Sequence, residues 1–167
     1  MATAVVYGST VGNTESAAQM IAEKLGISDV LNIASTDADT LNGFDKLIAG
    51  TSTWGSGDLQ DDWDAFDFSA LNVAGKTVAV FGMGDSSGYS DTYCGGMGKL
   101  AAKFKEAGAN LVGAVSLDGY EGSENFTETD AIVDGQFVGL ALDADNYGDL
   151  TESRIDAWVE QIRPDFA

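Results

Sequence analysis

Four stretches of the chain, residues 3–7, 46–50, 77–81 and 110–115, are apolar at consecutive positions and do not alternate with polar residues. A weaker one covers 29–33. They are rich in β-branched residues, a pattern that predicts strands buried on both faces, as in a parallel sheet covered by helices. Helical spacing lies between them. Ala18, Ile21, Ala22 and Leu25 fall at i, i+3, i+4 and i+7, and Gly26 stands where a C-terminal cap belongs. Met97, Leu100, Ala101 and Phe104 repeat the spacing before Gly108, and Ile155, Trp158, Val159 and Ile162 repeat it again. For that last helix, Asp149 with Glu152 predicts the entry and Pro164 the stop. A short helix is expected near 62–68. Strand and helix alternate throughout, which gives a doubly wound α/β domain of about five parallel strands. Residues 118–135 break the rhythm, being polar and acidic, and 137–142 then read as more strand. The expectation is an insertion interrupting the last strand; a plain surface loop is the alternative.

The length of 167 residues suits one domain, 1–167. With 8 basic and 27 acidic side chains, the net charge is 8 − 27 = −19. Nucleic-acid binding needs clustered Lys and Arg, and an anionic membrane surface would repel this chain. The absence of histidine excludes a Ser-His-Asp triad and a His-ligated metal, and the single cysteine, Cys94, excludes an internal disulfide. No signal peptide or membrane-length apolar run is found, so a cytoplasmic protein is expected.

Ligands of an open α/β sheet bind outside the carboxyl ends of the strands, so the loops after the strands are the candidates. The first, residues 8–14, contains Ser9, Thr10, Val11, Gly12, Asn13 and Thr14 at a helix start. Its hydroxyls and free N–H groups form a phosphate cradle. It lacks the Gly-Lys-Ser/Thr ending of a nucleotide-triphosphate loop, and no cation precedes Lys24. A tight turn with capping hydroxyls is the plain alternative. The second loop runs Thr51, Ser52, Thr53, Trp54, Gly55, Ser56, Gly57, and a Trp flanked by small residues there suits a flat ligand. The third, residues 82–91, includes Gly84, Asp85 and Tyr89; the next helix starts only near Gly95 or Gly96, too late for a dinucleotide turn. Two aromatics and a phosphate cradle on three loops describe a site for a flat ring bearing one phosphate.

In combination these loops resemble the flavodoxins, specifically the long-chain kind. Residues 9–15 are similar to the family's phosphate loop, 51–54 with 57–63 to its second loop, and 82–89 to its third. The interrupted fifth strand and residues 142–146 match too, and the resemblance covers residues 4–164. It implies a five-stranded flavodoxin-like sheet of order 2-1-3-4-5, and a non-covalent flavin mononucleotide (FMN) that carries single electrons. By position, Ser9, Thr10, Val11, Gly12, Asn13 and Thr14 would hold the phosphate. Trp54 and Tyr89 would cover the two flavin faces. Asp85 and Cys94 would donate backbone N–H groups at the pyrimidine edge, with Gly84 and Tyr93 beside them. Asp145 would meet the ribityl chain near Thr53, and Gly55-Ser56 would face N5, within the segment Thr51, Ser52 and Gly57 complete. Many long-chain members carry a bulkier residue at the Gly55 position, so glycine implies an easier peptide flip. Several relatives have Asn at the Thr92 position.

A fully reduced, anionic flavin is disfavoured by a charge of −19 and a phosphate loop without a cation. A neutral semiquinone avoids that penalty, so a low-potential one-electron carrier is expected rather than an enzyme. A base-free run from Lys46 to Lys76 carries Asp58, Asp61, Asp62, Asp64 and Asp67, and a second runs from Lys105 to Arg154. These acids suit redox partners with basic patches, or serve solubility in a salty setting. The resemblance implies a flavodoxin/ferredoxin-NADP reductase, a pyruvate-oxidising enzyme or nitrogenase as partner, and a monomer. An FMN-dependent two-electron reductase is the alternative function. A phospho-acceptor module fails, because no Asp ends strand three and no Lys follows strand five.

Overall fold

The structure, a computed structural model, describes residues 2–9, 12–54, 57–144 and 146–166. Strand β1 (Thr3–Gly8) is followed by helix α1 (Asn13–Leu25), which buries Ala17, Ala18, Ile21 and Ala22 and ends at left-handed Gly26. Next come β2 (Asp29–Asn32), α2 (Ala38–Asn42) and β3 (Lys46–Thr51). A two-stranded excursion, β4 (Thr53–Trp54) and β5 (Asp58–Leu59), leads into α3 (Asp61–Asp64). Strand β6 (Thr77–Met83) then precedes α4 (Gly95–Glu106).

The predicted fifth strand is present in two pieces. Strand β7 (Asn110–Val112) pairs with the first half of β6, with Val112 opposite Ala79. Strand β11 (Leu140–Leu142) pairs with the second half, with Leu140 opposite Phe81. Gly139 fits the seam between them: a Cβ there would lie 1.9 Å from the Val80 carbonyl oxygen. The interruption starts earlier than the polar run of residues 118–135, because left-handed Gly113 (φ 86°) already turns the chain out of the sheet. Strands β8 (Val115–Ser116), β9 (Ile132–Val133) and β10 (Gln136–Phe137) form an antiparallel sheet of order β8-β10-β9. The apolar residues at 115 and 137 therefore belong to this small sheet, not to the main one.

The main sheet runs β2-β1-β3-β6, with β7 and β11 both on the far edge of β6, all parallel. That is the doubly wound order 2-1-3-4-5, with the fifth strand split. Consecutive residues of each strand serve opposite cores. Val6, Leu47 and Val78 pack with Trp63, Leu100 and Phe104, whereas Val5, Ile48 and Ala79 pack with Ile21, Trp158 and Ile162. Burial on both faces is why these strands carry no polar alternation.

Helix α5 (Thr151–Phe166) departs from the expected boundaries at both ends. A 3-10 turn, Gly148–Leu150, leads into it, so Asp149 lies in that turn instead of capping the helix. Pro164 sits inside the last turn and does not end the helix. It lies on the exposed face, where solvent can satisfy the carbonyl that a missing N–H leaves free. No helix among the described residues is long and apolar enough to cross a membrane.

A cleft at the carboxyl ends of the strands

The loops that leave β1, β3, β6 and β11 meet at one edge of the sheet and enclose a cleft of about 310 Å³. Ser9, Asn13 and Thr14 line it from the first loop, and Ser52 and Thr53 from the second. The first loop is built locally. Ser9 Oγ accepts the Gly12 N–H at 3.1 Å, and Gly12 adopts φ 94°, a conformation that favours glycine. Gly12 is the N-cap of α1, and no side-chain hydrogen bond caps that helix, so the plain capping reading of these hydroxyls does not hold for the described residues. Among the described residues no side chain accepts from the first N–H groups of α1, and Asn13 and Thr14 of that turn line the cleft.

The third loop is tied to distant parts of the chain. Asp143, almost wholly buried after β11, accepts hydrogen bonds from Ser86 N (2.9 Å) and the Ser86 hydroxyl. It also accepts from Asn146 N (3.0 Å) and Asn146 Nδ2 (2.9 Å). Asn146 Nδ2 reaches Asp85 as well, at 2.8 Å. Asp85 further accepts the N–H groups of Gly88 (2.7 Å) and Ser87 (3.0 Å). The Gly88 N–H, with Asn146 and Ser87 adding to it, holds the Asp85 carboxyl below the usual carboxylate range. Tyr89 stands 50% exposed at the rim, whereas Tyr93 and Cys94 are buried at its base. Burial pushes the Cys94 thiol up to about 12, so it is held as a neutral thiol and not a reactive thiolate.

The cleft asks for a ligand rich in acceptors. Among the described residues, five buried side-chain hydroxyls have no hydrogen-bond partner, and four of them line this cleft: Thr14, Ser52, Thr92 and Tyr93. Orphaned hydroxyls are costly in a finished interior, and their concentration here marks a place where a polar ligand completes the structure. Gly84 forms part of the cradle, since a Cβ on it would lie 2.8 Å from the Cys94 nitrogen. None of the described lining residues is Lys or Arg. An anionic group would therefore be held by hydroxyls, amides and the helix N-terminus alone.

Of the residues singled out from sequence, Ser9, Asn13, Thr14, Ser52, Thr53, Gly84, Asp85, Tyr89, Tyr93 and Cys94 come together here. Thr51 does not line the cleft. Its hydroxyl donates to the Ser52 carbonyl and accepts the Gln60 N–H, which ties the second loop back on itself. Gly57 (φ 96°) packs behind the wall against Thr92, 3.2 Å from where its Cβ would be. Trp54 is placed by its backbone, opposite Asp58 in the short hairpin. Thr10, Val11, Gly55, Ser56 and Asp145 lie outside the described residues. Met83, Thr92 and Ala144 also line the cleft and were not singled out as site residues. Each adjoins or lies close to a motif residue, which is the one signal the sequence offers for them. Asp143 was missed as the hub of the third loop, although the Asp143–Asn146 spacing is that of a local side-chain-capped turn.

An open parallel sheet with a cleft at its strand ends, whose described lining has no Lys or Arg, defines the doubly wound α/β class, in which ligands bind at that edge. The family model for flavodoxin matches residues 5–158. The flavodoxin of Synechococcus elongatus is 42% identical over 165 residues, covering 96% of this chain and 95% of its own. That of Picosynechococcus is 43% identical, with the same coverage. Among solved structures, Fusobacterium nucleatum flavodoxin bound to flavin mononucleotide superposes with a TM-score of 0.88 at 27% identity, over 99% of each chain. The chain belongs to the flavodoxin family.

Proposed function

We propose that this chain binds FMN non-covalently in the cleft and carries single electrons at low potential between redox proteins. The bound flavin would supply the redox chemistry, cycling between a neutral semiquinone and an anionic hydroquinone. The observation that carries the reading is the set of partnerless hydroxyls of Thr14, Ser52, Thr92 and Tyr93 in a cleft whose described lining has no cation. Ser9, Gly12, Asn13 and Thr14, with Thr10 and Val11, would hold the phosphate. Tyr89 and Trp54 would cover the ring, Asp85 and Cys94 would donate backbone N–H groups to its pyrimidine edge, and Asp145 would meet the ribityl chain. Thr51 and Gly57 act one step back, by fixing the second loop.

Charge sets the direction of the potential. A protein of net charge −19 with no Lys or Arg in the described lining disfavours any further negative charge placed there. The second electron should therefore be held more weakly than the first. The same acidity suits docking to basic patches. Asp58, Asp61, Asp64 and Asp67 are exposed beyond the second loop, and strong salt dependence of association is expected. A reductase, a pyruvate-oxidising enzyme or nitrogenase would fit as partner, with the carrier monomeric and cytoplasmic. It would act as a carrier and not as an enzyme.

The test is a visible spectrum of the purified protein, loaded with FMN, during stepwise anaerobic reduction. A yellow protein that turns blue and then pale supports the one-electron carrier. Direct bleaching in a single two-electron step would instead favour a two-electron reductase on the same fold. Failure to bind FMN at all would overturn both.

A further inference from the structure

The insertion between the two halves of the fifth strand reaches back to the base of the cleft. Half-buried Thr129 donates its hydroxyl to the Tyr93 carbonyl at 2.6 Å, and its oxygen accepts the Ala131 N–H at 3.1 Å. One residue earlier, the Glu128 N–H donates to the Asp91 carbonyl at 2.8 Å. The insertion thus grips the carbonyls on both sides of Thr92. It also packs Phe126 and Phe137 against the Tyr93 ring, with centroids 4.8 and 5.9 Å away.

The consequence falls on the Tyr93–Cys94 peptide. A trans peptide carries its C=O and N–H on opposite edges, and the described chain has no cis bond. Thr129 turns the carbonyl towards the insertion. The N–H of Cys94 is therefore turned the other way; the Cys94 nitrogen lies 2.8 Å from where a Cβ on Gly84, just after β6, would be, and both residues line the cleft. That buried N–H has no hydrogen-bond partner among the described residues. Cys94 itself is held at φ 54°, a backbone state that a non-glycine residue keeps only where its surroundings impose it. An imposed conformation and an unused donor together indicate an aimed group.

We propose that Thr129 is a positioning residue which, by fixing the Tyr93 carbonyl, aims the Cys94 N–H into the cleft as a donor to the flavin ring. The inference rests on the FMN reading. A donor to a ring oxygen binds more strongly as that oxygen gains negative charge, so the latch favours the reduced ring over the oxidised one.

Thr129→Val keeps the shape and removes the hydroxyl, whereas Thr129→Ser keeps the hydroxyl. The expected result is an FMN dissociation constant about tenfold higher in Thr129→Val and within about twofold of wild type in Thr129→Ser. The second one-electron midpoint should also move negative in the valine variant. A tenfold differential loss corresponds to about 59 mV for one electron. Wild-type affinity and midpoint in Thr129→Val would overturn the proposal, as would a serine variant that behaves like valine. Two measurements separate this from the FMN reading and from a folding defect. In wild type, the Cys94 amide proton should shift downfield when FMN is added, and a proton that does not move while FMN binds overturns the latch. If FMN does not bind wild type, the cofactor reading fails. Hydrogen exchange at Cys94 in the free protein then still tests the positioning of this peptide by Thr129: faster exchange confined to Cys94 and its neighbours in Thr129→Val supports it, and equal rates overturn it.

Discussion

The first and third loops border the same cleft but are held in opposite ways. Among the described residues, the first is closed within its own segment, by Ser9 Oγ on the Gly12 N–H and by the Ser16 N–H on the Gly12 carbonyl. The third has a local turn of its own on Asp85 but is also held from outside: Asp143 grips Ser86 across 57 positions, Asn146 grips Asp85 across 61, and just beyond the loop Thr129 grips Tyr93 across 36. A self-closed loop is as stable as its local geometry. A loop held from elsewhere is as stable as the fold that brings its anchors together, and it can transmit changes made far from the ligand.

Removing an anchor is the strongest way to separate the two. Asp143→Ala removes a buried acceptor of four hydrogen bonds and leaves half-buried Ser86 and the Asn146 N–H without it, while Asn146 Nδ2 keeps Asp85. The expected loss is about 2–4 kcal/mol of stability in urea unfolding, with a matching fall in FMN affinity. Amide exchange should rise at Ser86 and Gly88 and stay unchanged at Gly12. A uniform rise would mean that the loops are not independent. The converse experiment is Gly12→Ala. Nothing lies within 4 Å of a Cβ at Gly12, so the cost is the left-handed backbone alone. It should be about 1–2 kcal/mol, with exchange at Gly88 unaffected. A larger loss would show that the first loop has tertiary anchors after all.

The same division explains what could be read from the sequence. The strands and the periodic helices are set by runs of neighbouring residues, and so are Gly26 and Gly12 in their left-handed turns. Those features are legible along the chain. The places where reading stopped short depend on partners remote in sequence. Val115 and Phe137 have the composition of sheet residues but pair with each other in the insertion. Thr51 looks like its neighbours Ser52 and Thr53, yet its hydroxyl is taken by Gln60. Asp143 gains its role only when β11 comes to lie beside β6. Pro164 carries a strong local stop signal that the exposed face of α5 tolerates. Chemistry-bearing residue types were thus easier to find than the residues that hold them in place.

The mildest perturbation, acid, should distinguish the two loops without any substitution. Asp85 is a carboxylate with a lowered pKa in the folded chain, through its hydrogen bonds from Gly88, Asn146 and Ser87. For a depressed carboxyl, the folded state binds the proton less readily than the unfolded one. Its contribution to stability is therefore fully present above the unfolded value of about 3.9, and it is lost as pH falls through the lower, folded value. Of the described residues of the first loop, Ser9, Asn13 and Thr14 line the cleft and, like Gly12, carry no group that titrates there. Following backbone amide shifts from about pH 5 to pH 2 should show Gly88 and Ser87 titrating together below the ordinary aspartate midpoint, while Gly12 moves little. Asp85→Asn should abolish the titration at Gly88 and leave the first loop as it was. A Gly88 midpoint at or above the ordinary value would mean that the loop's N–H groups do not hold the Asp85 charge, and the difference between the loops would then rest on Asp143 and Thr129 alone.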